Sequence, residues 1–240
     1  MLSEKKRKVG GRATQRTLCP LTGHNRVSRS RMRAEFASMV SKLANASLPS
    51  AWDMDIHRSD AVTPRGTDGL QAYPLSSGVT HGDMACHASH VRALHDVVQH
   101  PSAMSVVLED DVVFDAATFV SSALAVQRAV QVSDPAWDVI MLGYVELDNR
   151  TLNGGDGFVR LGHTSSSAAY LVSATGARKI VEERNWRVDM TAFDDYLSAA
   201  SGMHPQSDLN ALYGGRLRRY GSPTQLVRSS RATNVHDSEL

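Results

Sequence analysis

The sequence has few cysteines, few aromatic residues and no long apolar run. Only two of its 240 residues are cysteine, Cys19 and Cys86, and they match neither a disulfide framework nor a zinc-binding spacing. No stretch approaches the roughly 18 apolar residues of a membrane-spanning helix, and the N-terminus lacks the apolar segment of a secretory signal. These absences argue against a disulfide-stapled module or a membrane-spanning protein. They favour a cytoplasmic location, although one disulfide is compatible with the sequence.

Aromatic residues make up only 6% of the chain, so its core must consist mainly of Val, Leu, Ile, Ala and Met. The hydrophobic content of 42% and the charged content of 21% are typical of a globular protein. A chain of this length can bury a core without covalent cross-links. We therefore expect one globular domain over residues 15–240, preceded by a basic tail over residues 1–14.

A formal net charge of +1 conceals an uneven distribution. The first 35 residues carry ten Lys or Arg and two acids, and the remaining chain is acidic. Such a basic segment can contact nucleic acid or anionic lipid, carry a targeting signal, or stay solvated. The composition favours a solvated tail. Contact with an anionic surface, including a peripheral position at a membrane, stays open, whereas a nucleic-acid-binding function would depend on this segment alone and is not favoured.

Apolar patterning predicts strands that alternate with helices. This order argues for an α/β fold in which helices flank a mainly parallel sheet. The predicted strands cover residues 16–21, 52–62, 104–108, 139–142 and 168–172, and the predicted helices cover residues 28–43, 82–99, 116–130, 174–184 and 196–200.

Three consecutive carboxylates, Glu109, Asp110 and Asp111, end the apolar run of residues 104–108. Unpaired burial of these groups would be costly, so they need a cation, hydrogen-bond donors or water. Ligands collect at the carboxyl ends of strands in open α/β sheets, and side-chain alternation would place Glu109 and Asp111 on one side. Carboxylate oxygens suit Mg²⁺ or Mn²⁺. The triplet therefore predicts a divalent-metal site, with a solvated acidic strand end as the alternative.

Several blocks of sequence, in order, resemble glycosyltransferase family 25, which includes bacterial lipooligosaccharide galactosyltransferases and collagen galactosyltransferases. Residues 82–90 match the family's Gly-Glu-x-x-Cys-x-x-Ser-His helix, with Asp83 in place of the glutamate, and Leu108 begins its Leu-Glu-Asp-Asp strand end. The resemblance spans roughly residues 79 to 238, and its later blocks are residues 137–143, 169–179, 193–197 and 222–225.

The resemblance implies a single nucleotide-sugar-binding, Rossmann-like domain of the GT-A type. It implies transfer of a hexose, with galactose favoured, from a UDP-sugar to an acceptor hydroxyl on a glycan, a lipid-linked saccharide or a protein, with inversion at the anomeric carbon. It also implies a divalent cation, with Mn²⁺ favoured over Mg²⁺, held by Asp111 with Glu109 or Asp110 assisting. A cation of this kind stabilises the charge on the departing diphosphate. His236 is the candidate for a further ligand, with a solvated terminal histidine as the alternative.

Inverting transfer requires a base that accepts the proton of the acceptor hydroxyl, and a carboxylate is the usual choice. Asp194 is the first candidate and Asp195 the second. Either residue could instead cap the helix predicted over residues 196–200.

Three further residues are candidates for contacts with the donor. Ser89 and His90 are adjacent on the first predicted helix and therefore do not face each other, which argues against a nucleophilic pair. His90 is as compatible with a hydrogen-bonded core position as with a contact to the donor phosphates or the acceptor. Arg178 could reach a diphosphate, although cations are also favoured near helix C-termini.

Two other functions fit parts of the sequence. A metal-dependent nucleotidyltransferase would need a glycine-rich basic loop after its first strand, and residues 22–33 contain only one glycine. A catalytically inactive, sugar-binding relative is the other alternative, although the intact carboxylates argue against it. No motif identifies an acceptor, and the loops over residues 61–81 and 144–157 are where we expect acceptor specificity.

Overall fold

The computed structural model describes residues 12–16, 55–59, 62, 78–99, 104–109, 111–115, 117–185 and 189–229. The predicted helix over residues 28–43 and most of the loop over residues 61–81 lie outside these ranges. None of the helices described is both long enough and apolar enough to cross a membrane.

Ten strands and five helices lie within the described residues. The strands are β1 (Arg12–Arg16), β2 (Asp55–Ser59), β3 (Met104–Glu109), β4 (Val112–Val113), β5 (Val139–Glu146), β6 (Leu152–Gly155), β7 (Phe158–Arg160), β8 (Thr164–Ser173), β9 (Arg219–Gly221) and β10 (Arg228–Ser229). The helices are α1 (His81–Gln99), α2 (Phe119–Ser133), α3 (Ala174–Glu182), α4 (Phe193–Ala200) and α5 (Ser207–Tyr213).

Eight strands form one mixed sheet in the order β2-β1-β3-β8-β5-β9-β7-β6. Three neighbouring pairs are parallel, namely β2/β1, β1/β3 and β5/β9, and the other four are antiparallel. The fold is α/β as predicted, but the prediction of a mainly parallel sheet is wrong. Strand β8 is buried on both faces, as parallel strands usually are, yet it runs antiparallel between β3 and β5. Apolar patterning reports burial and carries no information on strand direction.

The sheet carries a core on each face. Val107 and Tyr170 face a core shared with α1, α3, α4 and α5, whereas Leu108 and Leu171 face a second core shared with α2. Adjacent residues of a strand point to opposite faces, so β3 and β8 contribute to both cores. This double burial explains why the two strands are continuous apolar runs.

Helix α1 begins with a reciprocal cap that explains the aspartate at position 83. The backbone N–H and the hydroxyl of Thr80 donate to Asp83 Oδ2 over 2.9 and 2.7 Å, and Asp83 N donates to Thr80 Oγ1 over 3.2 Å. This is the hydrogen-bond exchange of a capping box, with aspartate in place of the usual glutamate. Asp83 departs from the family pattern, but it still makes the hydrogen bonds that cap the N-terminus of the helix.

Most predicted elements are confirmed, with shifted ends. Strand β1 begins at Arg12, within the predicted tail. It shares Arg16 with the predicted first strand, whose residues 17–21 lie outside the described ranges. Strand β5 continues beyond Gly143, where a side chain would collide with the backbone oxygen of Val227, so this glycine allows a close backbone approach instead of ending the strand.

Part of the predicted loop over residues 144–157 is folded into the hairpin of β6 and β7. Gly155 and Gly157 occupy positive φ values of 139° and 89° beside the turn of this hairpin. Glycine clusters are common to loops and tight hairpins, so the sequence alone did not separate the two structures.

Candidate active site

The carboxylate of Glu109 lies at the carboxyl end of β3, in contact with a buried histidine and a serine. Glu109 Oε1 is 3.2 Å from His90 Nε2 and accepts a hydrogen bond from Ser167 Oγ at 3.3 Å. Ser167 Oγ is also 3.1 Å from His90 Nε2. The three side chains come from β3, α1 and the first half of β8, so the antiparallel direction of β8 brings them together.

The ring of His90 fixes this cluster against the helical layer. It stacks on Phe193, with ring centroids 4.2 Å apart and an interplanar angle of 6°, and its Nδ1 lies 3.2 Å from Tyr170 Oη. His90 is 1% exposed. Of the two interpretations of His90, the structure supports the hydrogen-bonded core position. In that position the imidazole contacts the carboxylate of Glu109.

Asp194 and Asp195 follow Phe193 in the first turn of α4. Asp194 Oδ2 accepts from the backbone N–H of Ser166 over 2.9 Å, and its Oδ1 accepts from Asp195 N over 3.0 Å. Burial is the main cause that raises the pKa of Asp194, and the charge of Asp195 acts in the same direction. Because Ser166 precedes Ser167, β8 joins the Asp194 turn to the Glu109 cluster. The structure thus brings together the two acidic motifs, which are 85 residues apart in the sequence.

Asp195 contacts a pair of histidines. His163 Nε2 is 3.2 Å and His204 Nε2 is 3.4 Å from its Oδ1. The two imidazole rings meet edge to face, with centroids 4.8 Å apart. These histidines lie outside the sequence blocks that resembled the family, and no regular spacing connects them, so the sequence offered no signal for this cluster.

The predicted metal site is only partly within the described residues. Strand β3 ends at Glu109, and Asp111 lies in the following turn, half-buried, so strand alternation does not extend to it. Asp110 and His236 lie outside the described residues. Among the residues described, the groups of three potential metal ligands are Cys86/His90/Glu109 and His163/Asp195/His204, and neither includes Asp111.

The donor chemistry of this corner fits a hard divalent ion. Glu109 and Asp111 offer carboxylate oxygens, which Mg²⁺ and Mn²⁺ prefer. The contacts of His90 and Ser167 fall on Oε1 of Glu109. Contacts of this kind fix the orientation of a carboxylate ligand.

Cys86 is disulfide-bonded. The sequence has one other cysteine, Cys19, which lies outside the described residues. A disulfide sulfur is not a thiolate, so in this form Cys86 does not complete a metal site with His90 and Glu109.

Ser89 has a structural role in the described contacts. It is buried, its hydroxyl donates to Ala85 O over 2.7 Å, and it accepts from Val62 N over 2.8 Å. These contacts attach the segment at Val62 to α1. They do not support contact with a donor.

Arg178 is exposed on α3, which begins where β8 ends. That end of β8 pairs with Met104, whereas Leu108 pairs with Ala169, so α3 starts at the opposite end of β3 from Glu109. The structure therefore does not bring Arg178 into the cluster around Glu109. Its neighbour Lys179 is paired with the buried Asp138 at 2.7 Å.

Arg219 and its partners form a further polar group that sequence reasoning missed. Arg219 is buried on β9, and its guanidinium donates to Thr164 Oγ1 and Ser198 Oγ, both over 3.0 Å, and to Gly162 O. Burial lowers its pKa to about 10, and the nearby carboxylate of Asp194 opposes that shift. A buried arginine in a short strand has no sequence signature that separates it from an exposed one.

Comparison with known proteins supports the resemblance. Residues 28–135 match the family model described as glycosyltransferase family 25 (LPS biosynthesis protein). The resemblance to glycosyltransferase family 25 is confirmed. The match includes α1, Glu109 and Asp111, whereas Asp194 and Asp195 lie beyond it.

Relatives in this family carry two kinds of names. The "Probable inactive glycosyltransferase 25 family member 3" of Bos taurus is 29% identical in an alignment of 187 residues, which covers 70% of this chain and 31% of the relative. The "Procollagen galactosyltransferase 1-A" of Xenopus laevis is 26% identical over 159 residues, which are 65% of this chain and 25% of that protein. The chain thus spans about a third or less of the length of these curated relatives.

Among solved structures, the chain is similar to mouse xyloside xylosyltransferase 1 in its apo form. The TM-score is 0.45 and the sequence identity 10%, over 90% of this chain and 98% of that chain.

Proposed function

We propose that this chain carries a glycosyltransferase site that binds a UDP-sugar and transfers its hexose, with galactose favoured, to an acceptor hydroxyl. One observation supports this proposal above the others. The adjacent residues Ser166 and Ser167 donate hydrogen bonds to two separate acidic motifs. Ser166 donates to Asp194, which lies with Asp195 at a helix start, and Ser167 donates to Glu109 at a strand end. Inverting transfer needs these two features, a site for the leaving diphosphate and a base for the acceptor.

On this proposal, Asp111 and Glu109 hold the divalent ion, with Asp110 and His236 as the further ligands predicted from the sequence. The ion, when bound, supplies Lewis-acid stabilisation of charge on the leaving diphosphate. His90 and Ser167 orient Glu109, because both contact its Oε1. A carboxylate of the Asp194-Asp195 pair accepts the proton of the attacking hydroxyl.

A catalytically inactive, donor-binding protein is the second candidate. The names of the mammalian relatives that match over 70% of the chain include the word inactive. Both candidates use the same donor site and differ only in turnover, so binding and turnover must be measured separately.

The experiment has two steps. Thermal unfolding of the chain is first measured with Mn²⁺ and a panel of nucleotide sugars, because a ligand at 100 times its Kd stabilises the native state by about 2.7 kcal/mol. UDP release, with water in place of the acceptor hydroxyl, is then followed for any nucleotide sugar that stabilises the fold. Stabilisation by UDP-galactose with UDP release supports the transferase, and stabilisation without release supports the inactive relative. Stabilisation by nucleoside triphosphates with their consumption would instead favour a nucleotidyltransferase.

A further inference from the structure

A partly buried imidazole and a buried one approach one oxygen of Asp195. The side chains of His163 and His204 are 13% and 7% exposed, whereas that of Asp195 is 35% exposed. Both Nε2 atoms lie within 3.4 Å of Oδ1. The histidines thus contact one oxygen of the carboxylate, while the side chain of Asp195 stays open to an incoming molecule.

The hydrogen bonds of His204 determine which of its nitrogens carries the proton. The backbone N–H of Gln206 donates to His204 Nδ1 over 3.1 Å. Since a backbone N–H can only donate, Nδ1 carries no proton and the neutral ring is protonated on Nε2. Burial is the main cause that lowers the pKa of His204, which favours this neutral form. His204 therefore donates its Nε2–H to Asp195.

The same tautomer argues against a metal ion at this cluster. Two histidines and an aspartate match the ligand types of a zinc site. A metal ion would need the lone pair of His204 Nε2, which the proton occupies when Nδ1 accepts from Gln206. The cluster is therefore better explained as a carboxylate held by imidazole donors.

Hydrogen bonds to its own loop hold His204 in place. His204 N donates to Asn210 Oδ1 over 3.0 Å, and Asn210 Nδ2 donates to His204 O over 2.7 Å. The imidazole thus approaches Asp195 from a backbone that is tied to α5. Supporting contacts of this kind orient functional side chains.

A different set of hydrogen bonds holds the backbone around His163. Its backbone N–H donates to Asp148 Oδ1 over 3.1 Å. The buried Arg219 donates to both neighbours of His163 in the sequence, to Gly162 O and to Thr164 Oγ1. Two separate sets of contacts therefore support the two imidazoles.

Asp194 differs from Asp195 in the partners of its carboxylate oxygens and in its accessibility. Each of its two oxygens accepts a backbone N–H, one from Ser166 and one from Asp195. These bonds commit the carboxylate of Asp194 to the backbone at the start of α4. Asp195 is the more accessible of the two and has histidine contacts on one oxygen.

We infer that Asp195 is the proton acceptor for the acceptor hydroxyl, and that His163 and His204 are its positioning residues. This inference rests on the proposed function. In the step, the hydroxyl oxygen forms a bond to the anomeric carbon and its proton passes to the Asp195 carboxylate. The bond from that carbon to the diphosphate oxygen breaks, and its electron pair leaves with the diphosphate.

The first test measures UDP release from UDP-galactose with Mn²⁺ in the full chain and in matched variants, with water in place of the acceptor hydroxyl, so that Asp195 would accept a proton from water and the hexose would leave as the free sugar. His204→Leu removes the Nε2–H donor, whereas His204→Gln keeps an N–H near the same place. We expect His204→Leu to lower kcat by about tenfold or more with an unchanged KM for the donor, and His204→Gln to retain most of the activity. Asp195→Asn should lower kcat by about 100-fold or more. His95→Leu, at an exposed position on α1, is the control.

The second test is independent of turnover. Imidazole ¹⁵N spectra of the full chain should show His204 as the Nε2–H tautomer near neutral pH, with a changed Nε2–H shift in Asp195→Asn. An Nδ1–H tautomer, or stoichiometric Zn²⁺ binding that His204→Leu abolishes, would overturn the positioning role.

The two tests separate the inference from the proposed function. If the unaltered chain releases UDP and either Asp195→Asn or His204→Leu keeps its kcat, the inference is overturned and the proposed function stands. If the unaltered chain releases no UDP, the proposed function and the catalytic role of Asp195 are both contradicted. The tautomer spectrum then still decides whether His204 holds Asp195.

Discussion

Ser166 donates its backbone N–H to Asp194 Oδ2 over 2.9 Å, and it does so with a φ of 73°. The left-handed region costs a non-glycine residue about 1–2 kcal/mol, so this conformation needs support from its surroundings. Asp194 provides part of that support and ties α4 to β8 one residue before Ser167 contacts Glu109. The geometry of the candidate site therefore depends on a strained residue held by a carboxylate.

We predict opposite effects on stability at the two ends of this hydrogen bond. Asp194→Ala should lower the free energy of unfolding by about 1–3 kcal/mol, because the partly buried N–H of Ser166 loses its acceptor. Ser166→Gly should raise it by less than about 1 kcal/mol, because glycine adopts a positive φ without strain but lacks the Oγ that accepts from Ala168 N over 3.4 Å. Urea denaturation measures both. Asp156→Ala, in the exposed turn of the β6/β7 hairpin, is the control for loss of a carboxylate. Equal stabilities for Asp194→Ala and this control would contradict the structural role of Asp194.

The adjacent residues Arg178 and Lys179 should differ sharply when replaced. Lys179 Nζ lies 2.7 Å from Asp138, whose carboxylate is fully buried, whereas Arg178 is exposed. Lys179→Met should therefore destabilise the fold by a few kcal/mol, since it leaves a buried charge without this partner. Arg178→Met should leave stability unchanged. If Arg178→Met weakened the binding of UDP-galactose, the conclusion that Arg178 lies away from the donor site would be wrong. The prediction that Arg178 contacts the diphosphate would then be supported.

The stability of the fold should fall at acidic pH partly because of His87. This residue is 1% exposed, its Nδ1–H donates to Thr191 O over 2.8 Å, and burial lowers its pKa from 6.5 to about 4. Between these values the unfolded chain binds more protons than the folded chain, so stability decreases as the pH falls from about 6.5 to about 4, by roughly 3 kcal/mol.

His87→Asn tests this prediction. An asparagine amide can still donate to Thr191 O but does not titrate, so the variant should lose part of the pH dependence in this window. Unfolding free energies at a series of pH values provide the measurement, with the exposed His95→Asn as the control. Identical pH profiles for the unaltered chain and His87→Asn would show that His87 does not carry the effect.

Asp111→Asn should abolish the stabilisation by Mn²⁺ with UDP-galactose and leave the fold intact. On the proposed function, the half-buried Asp111 supplies a carboxylate oxygen to the metal ion, and an amide binds divalent cations much more weakly than a carboxylate. Thermal unfolding with and without EDTA checks the result, and Asp156→Asn, on the exposed turn between β6 and β7, is the matched control. A variant that keeps the full stabilisation, or stabilisation that persists with EDTA, would exclude Asp111 as a metal ligand.

The sequence was sufficient for four of the five described helices and for the central strands, but the short helix α5 was not predicted. Helix α1 and strand β3 end within one residue of their predicted limits, because helical periodicity and a continuous apolar run are local signals. The β6/β7 hairpin was missed, since its glycines occur equally in loops. The predicted parallel direction of β8 was wrong, because an antiparallel strand buried on both faces has the same composition as a parallel one.

The sequence by itself determined the chemical types present at the candidate site. The acidic end of an apolar run singled out Glu109 and Asp111, and the resemblance added the Asp194-Asp195 pair, because these residues occur in contiguous motifs. Only the tertiary structure decided how the carboxylates differ. It placed Asp194 against the backbone of Ser166 and Asp195 between His163 and His204. Those partners are distant along the chain, and their contacts arise from the antiparallel pairing of β8 and the packing of α4, which no local pattern encodes.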